Sequence, residues 1–358
     1  MMGHDWQAAR RLLVVRLGGM GDLLMTGPAI RALKAAAVGR NVTALVSPPG
    51  AAVARLLPGV DDVIVYRAPW MRGVDADAAM DHAVIEQLRT RRFDAAVIFT
   101  VFGQSPLPAA LLCHLAQIPR RAAHCRENPY ALLTTWVIEK EPEDEIRHDA
   151  ERQLGLVAEL GASAGDDKLA ISLPESARAW GARHRAEGRP TIVLHPGASA
   201  SSRRYPEESY ATVLRLLEHE LDAACVLAGT DDERELLLRI RQTARSDATV
   251  VCGTSLAELA GLQMSADVVV TNNTGPAHLA TAVGTPVVVL YALTNPQQAP
   301  WMAASRVLSA DVPCRNCFKS VCASGHHRCL RDVSPRQVVD AATELLLDGS
   351  GLARRALC

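Results

Sequence analysis

The stretch that most limits what this chain can fold into is residues 266–292. A β-branched run at 268–270 leads into Asn272-Asn273-Thr274-Gly275-Pro276, a small-residue helix is predicted over 276–283, and a second apolar strand over 287–290. Strand, helix, strand is a βαβ unit, and a βαβ unit requires a parallel sheet. Thr274 suits the N-cap, and Pro276 suits the first turn, where a missing N–H costs nothing. The amides of that turn and the positive end of the helix dipole offer an anion site. In open parallel sheets, ligands bind beyond the carboxyl ends of the strands. The stretch therefore reads either as a cradle for a diphosphate or as an ordinary capped helix.

The same alternation runs through the chain. In the first half, strands are predicted at 12–17, 42–46, 63–66 and 95–99, with helices at 28–37, 77–91 and 106–116, and a helix at 147–161 closed by Gly161. Between 161 and 190 the composition turns small and polar apart from a helix at 176–187, which marks a domain junction. The second half has strands at 192–194, 224–227, 249–251, 268–270 and 287–290, and a last helix at 335–346. Two tandem parallel α/β domains follow, 1–175 and 176–358. A length of 358 residues suits two domains, and 49% hydrophobic content supplies two cores. With aromatics at only 4%, Ala, Leu and Val must do most of the packing.

A net charge of −1 argues against a nucleic-acid surface, although Arg89-Thr90-Arg91-Arg92 and Arg120-Arg121 are local basic clusters that suit either peripheral membrane contact or simple solvation. There is no apolar run of membrane-spanning length and no signal-peptide core in residues 1–11, so a cytoplasmic protein is expected.

Three loops carry candidate chemistry. Arg16-Leu17-Gly18-Gly19-Met20-Gly21-Asp22 follows the first strand and matches neither the dinucleotide fingerprint nor a P-loop. It offers close backbone approach and one carboxylate, Asp22, which reads as a general base for a substrate hydroxyl or as an acid complementing a helix dipole. His195-Pro196-Gly197-Ala198, running on to Arg203-Arg204-Tyr205-Pro206, offers hydroxyls, amides and cations to a phosphate, or is a solvated loop. Gly229-Thr230-Asp231-Asp232-Glu233 offers acids for ribose hydroxyls or a helix cap.

Cys314, Cys317, Cys322 and Cys329 place four of the nine cysteines in one short segment together with His326-His327. A structural tetrahedral Zn or rubredoxin-like Fe, reduced thiols, and disulfides all remain open for it. The remaining cysteines, at 113, 125, 225, 252 and 358, have no ligand spacing.

Taken in order, Arg16 to Asp22, Arg147-His148, His195 to Ala198 with Arg203 to Pro206, and Thr274-Gly275-Pro276-Ala277-His278 resemble glycosyltransferase family 9, the ADP-heptose:lipopolysaccharide heptosyltransferases. The similarity spans nearly the whole chain, and the Gly-His-His-ended cysteine segment fits it. The resemblance implies a GT-B architecture, with two Rossmann-like domains facing a central cleft, the acceptor on the first and the nucleotide sugar on the second. It implies Asp22 as catalytic base, with Gly18, Gly19, Met20 and Gly21 on the acceptor side. Donor contacts are implied for His195, Gly197, Arg203, Asn273, Thr274, Gly275 and His278. The implied reaction is inverting heptosyl transfer from ADP-heptose to a lipopolysaccharide inner-core acceptor, at the inner face of the membrane, with no catalytic cofactor. Two departures stand out: Asn273 where the family commonly has Asp, and Arg203 where it usually has Lys. Other readings are another nucleotide sugar, a protein or natural-product acceptor, a silent nucleotide-sugar-binding protein, and a nucleotide-sugar epimerase.

Overall fold

The computed structural model describes residues 6–349 except 72, 76, 143, 164, 293 and 294; Cys358 and the first five residues lie outside this range. The chain divides into two compact units, Met1–Ser172 and Leu173–Cys358.

The first unit contains β1 (Arg11–Arg16), β2 (Asn41–Val46), β3 (Asp62–Val65), β4 (Ala95–Ile98), β5 (Arg120–Cys125) and β6 (Thr135–Ile138). Its helices are α1 (Met20–Ala35), α2 (Pro48–Ala54), α3 (Ala78–Arg91), α4 (Leu107–Leu115) and α5 (Asp149–Ala158). All six strands are parallel, in the order β3-β2-β1-β4-β5-β6.

The second unit contains β7 (Thr191–His195), β8 (Ala224–Gly229), β9 (Thr249–Cys252), β10 (Val268–Asn272), β11 (Val287–Leu290) and β12 (Ser305–Leu308). Its helices are α6 (Glu175–Ala182), α7 (Glu207–Leu221), α8 (Arg234–Ala244), α9 (Leu256–Ser265), α10 (Gly275–Ala282), α11 (Arg328–Arg331) and α12 (Pro335–Gly349). Its sheet, β12-β11-β10-β7-β8-β9, is again parallel and repeats the same winding. Central strands are buried on both faces, as helices on each side of a parallel sheet require. Val268, Val270, Ile192 and Leu194 face one cluster with α7 and α12, while Val193, Val269, Val287 and Val289 face another with α10.

The winding reverses between β1 and β4 in one unit and between β7 and β10 in the other. Crevices at such reversals are where open α/β sheets take ligands. The Gly18–Asp22 loop, the 196–204 loop and the Thr274 turn therefore each emerge at a reversal point of their own sheet.

Several expectations need correction. The helix predicted over 28–37 begins at Met20 and carries Pro28 in its interior. β5, β6 and β12 are strands that sequence periodicity missed. Arg121, expected in a basic surface patch, is buried in β5; its guanidinium donates to the carbonyls of Ile118, Ala131 (2.8 Å) and Leu132 (2.7 Å). In the other basic cluster, Arg89 pairs with Glu86 at 2.7 Å and Arg91 with Asp62. No helix among the described residues is long and apolar enough to cross a membrane.

Candidate active site

In the first unit, β1 ends in Arg16 and Gly19 takes the N-cap of α1, so Asp22 falls at the third helical position. There its Oδ2 accepts the Gly19 N–H at 2.7 Å, one half of a capping box. The carboxylate folds over Gly18, where a Cβ would stand 2.3 Å from Oδ2, so this position needs glycine. The other oxygen, Oδ1, lies 3.5 Å from Arg16 Nη2, and the side chain stays 23% exposed. One oxygen of Asp22 thus caps the helix, as the capping reading expects, and the other faces Arg16. The Ser47 hydroxyl donates to the Gly18 carbonyl at 2.6 Å and steadies the loop.

Behind Asp22 lies a polar network that sequence reasoning did not find. Buried Arg16 donates from Nη2 to Asp149 Oδ2 at 2.5 Å, and Asp149 Oδ1 accepts Gln153 Nε2 at 2.9 Å. Arg16 Nε and Nη1 are buried without partners among the described residues. The available signal was an arginine closing an apolar strand. Further along the carboxyl edge, a polar hollow of about 170 Å³ is lined by Gln104, Ser105, His124, Arg126 and Glu139, among others. Burial, with Arg152 alongside, pushes the His124 imidazole down to about 4.

In the second unit the organiser is Asn272, the last residue of β10 and fully buried. Its Nδ2 donates to the Pro196 carbonyl at 2.7 Å, and its Oδ1 accepts the Tyr205 N–H at 3.2 Å. One side chain thus ties the end of β10 to both ends of the 196–205 loop. His195 is buried at the end of β7, and burial lowers its pKa against the opposing charge of Glu233. Gly197 leaves room for Glu233: a Cβ there would sit 2.0 Å from Oε1. Glu233 in turn accepts the Thr230 N–H at 2.9 Å and so has a helix-capping role, while Asp231 pairs with Arg234 at 2.9 Å.

Arg203 Nη1 donates to the Asn273 carbonyl at 3.3 Å, and its buried Nε has no hydrogen-bond partner among the described residues. That places the cation beside the start of α10. Thr274 occupies the N-cap, yet its hydroxyl bonds to the Asn272 carbonyl at 3.4 Å and no side chain caps the helix. Pro276 has no N–H and the Ala277 N–H donates to the Thr274 carbonyl at 3.0 Å, so the Gly275 N–H, with the positive end of the helix dipole, is what the turn offers an anion. His278 is buried one turn further on.

The Asn273 amide faces the backbone of Ala292, accepting its N–H at 3.2 Å and donating to its carbonyl at 3.4 Å. The N–H fixes which end is oxygen, since only oxygen can accept it. A carboxylate could take the N–H but would face the carbonyl with a lone pair. Asn273→Asp is accordingly expected to lower stability by about 1–2 kcal/mol, read as a fall in thermal midpoint; an unchanged midpoint would show that this pairing contributes nothing.

Cys314, Cys317, Cys322, Cys329, His326 and His327 line one small cavity together with Ser202 and Ala292. Soft thiols suit Zn or Fe, and Cys314 Sγ lies 3.7 Å from His326 Nε2. As they stand, however, no three metal-ligating groups among the described residues are arranged to share an ion, and none of the four cysteines is in a disulfide. The segment also grips the 196–204 loop: Ser202 donates its hydroxyl to the Lys319 carbonyl at 2.8 Å and its N–H to the Ser320 carbonyl at 3.1 Å.

Two doubly wound parallel sheets, each with polar loops at its reversal point, define a two-domain protein of the GT-B class. The model of glycosyltransferase family 9 (heptosyltransferase) matches residues 82–327, and the chain belongs to that family. It is 26% identical to lipopolysaccharide heptosyltransferase 2 of Escherichia coli K12 over 94% of this chain and 99% of that one. It is 27% identical to lipooligosaccharide heptosyltransferase 2 of Campylobacter jejuni over 44% of this chain, a match spanning about half (52%) of that relative's length. Among solved structures, a family 9 glycosyltransferase from Veillonella parvula superposes with a TM-score of 0.79 at 21% identity, covering 97% of this chain and 99% of that one. The structure of E. coli ADP-heptose lps heptosyltransferase II gives 0.72 at 22% identity, covering 95% and 99%.

Proposed function

We propose that this chain is an inverting heptosyltransferase that moves heptose from ADP-heptose to a lipopolysaccharide inner-core acceptor. The observation that carries the reading is the uncapped start of α10 with Arg203 bonded beside it. Backbone amides and a fixed guanidinium are the groups a departing diphosphate needs. The names of the similar proteins supply the donor and acceptor.

In this reading the first unit binds the acceptor and supplies the base, and the second holds the leaving group. The acceptor hydroxyl passes its proton to Asp22 Oδ1 while its oxygen bonds to the anomeric carbon. The bond from that carbon to the β-phosphate oxygen breaks on the opposite face, the configuration inverts, and ADP leaves with the electron pair. The polar hollow around His124 and Arg126 supports an acceptor rich in hydroxyls and acids. All the chemistry is assigned to protein groups.

Incubation with ADP-heptose should release ADP only when a core acceptor is present, and GDP- and UDP-sugars should give none. Release of another nucleotide would move the reading to a different donor, while binding without release in every case would make the protein a nucleotide-sugar binder. The setting that suits this acceptor is the cytoplasmic face of the inner membrane, held peripherally.

For the cysteine segment, the metal reading rests on composition, four thiols and two imidazoles lining one cavity, and not on any arrangement among the described residues that could already hold an ion. Protein purified without added metal is then expected to carry about one equivalent of Zn or Fe, as four-thiolate sites do. Less than about a tenth of an equivalent removes the metal and leaves reduced thiols.

A further inference from the structure

From the geometry around Arg16 we infer that Asp149 is a positioning residue for Asp22: it offsets the charge of Arg16 and so sets how readily Asp22 accepts the acceptor's proton. The inference rests on the reading of Asp22 as the base.

Arg16 Nη2 stands between two carboxylates, 2.5 Å from Asp149 and 3.5 Å from Asp22. The inner pair is withdrawn from water, with side chains 3% and 5% exposed, while Asp22 is 23% exposed. Charges in such a partly buried setting are screened less than in water. An unopposed guanidinium would hold Asp22 ionised and make it a poor proton acceptor. Two carboxylates without the guanidinium would repel each other and favour protonation. The three groups together place one cation between two anions, and the closer anion is the one withdrawn from solvent.

The arrangement is held from several sides. Asp149 lies in the first turn of α5 and is fixed by Gln153 Nε2 at 2.9 Å, whose other contact is the Thr100 carbonyl, also at 2.9 Å. Asp22 is fixed through the Gly19 N–H. Of the other groups near this end of α1, α2 carries no titratable residue, Glu151 on α5 is exposed, Arg152 is taken up by Glu139, and His148 caps α5 through Nδ1.

The two single variants should shift activity in opposite directions, a signature that mere loss of packing does not give. Asp149→Asn leaves the Arg16 charge unopposed, so the acid limb of the kcat/KM profile should move about one pH unit lower, a tenfold change in proton affinity, and the plateau kcat should fall several-fold, as a weaker base requires. Arg16→Met should move the acid limb up by about the same amount. In the double variant the limb should return toward its starting position. KM for the donor should stay within about twofold, because the donor motifs lie in the other unit. The inference is overturned if the variants that fold leave the limb in place, or if the two singles shift it the same way. Asp22→Asn is the control: if it retains most of its activity, the base itself is misassigned, whereas an inactive Asp22→Asn with an unshifted Asp149→Asn removes only the role of Asp149.

Discussion

Asp22→Asn should lower kcat by about 10²- to 10⁴-fold, the range over which a positioned general base contributes, while donor KM changes little. The asparagine keeps the side-chain shape and an oxygen that can still accept the Gly19 N–H, so the cap on α1 survives. What it loses is the ability of the outer oxygen, 3.5 Å from Arg16, to take up a proton. Steady-state rates of ADP release and a donor-binding titration separate the two effects. A variant with most of its turnover would show that Asp22 serves α1 alone, as a capping acid.

The largest effect on stability is expected from Arg152→Met. Arg152 is buried, donating from Nε to Glu139 Oε2 at 2.9 Å, from Nη2 to the same carboxylate, and from Nη1 to the Thr100 carbonyl. Removing the cation strands a buried Glu139, and breaking such a pair from one side costs about 3–5 kcal/mol. Burial alone would push the Glu139 carboxyl up; Arg152 reverses this and holds it below its ordinary range. Pairing the change with Glu139→Gln should therefore recover much of the loss, as measured by thermal or urea unfolding. Equal destabilisation in single and double variants would mean that packing, not charge, dominates.

The same network sets an acid sensitivity. With His124 held down at about 4, the unfolded chain takes up a proton below about pH 6.5 that the folded chain refuses. Stability should fall as pH drops from 6.5 toward 4, and Glu139 adds to the fall as its own carboxyl protonates below that. In His124→Phe the upper part of this decline should disappear.

Much of the architecture was legible because buried parallel strands read as apolar runs; the strand at 268–270 and the turn after it were placed from β-branching and Thr-Gly-Pro alone. What escaped had physical causes. β6 and β12 are edge strands, partly exposed along their length, so no apolar run is required of them. β5 hides Arg121 by giving its guanidinium three carbonyls, a solution that no local pattern announces. The start of α1 was missed because Gly19 caps the helix through its backbone and Asp22, and Pro28 looked like a beginning.

The candidate site was partly legible for a similar reason. Loops at strand ends advertise themselves through Gly, Pro and polar residues, and the loops that carry Asp22, Arg203 and Thr274 were singled out that way. Arg16 with Asp149 was not, because its members lie 133 positions apart. Asn272 was passed over in favour of its neighbour, although it is the residue that joins the β7 loop to β10.

The two bonds from Ser202 to positions 319 and 320 bear on how this enzyme could be trimmed or engineered. A designer looking for dispensable surface would choose the largely exposed stretch at 315–325. Yet that stretch is the back-stop of the residue preceding Arg203, so shortening it would loosen the guanidinium at its root. Grafting a related 196–204 loop onto another scaffold would need both pieces of chain, although more than a hundred residues separate them.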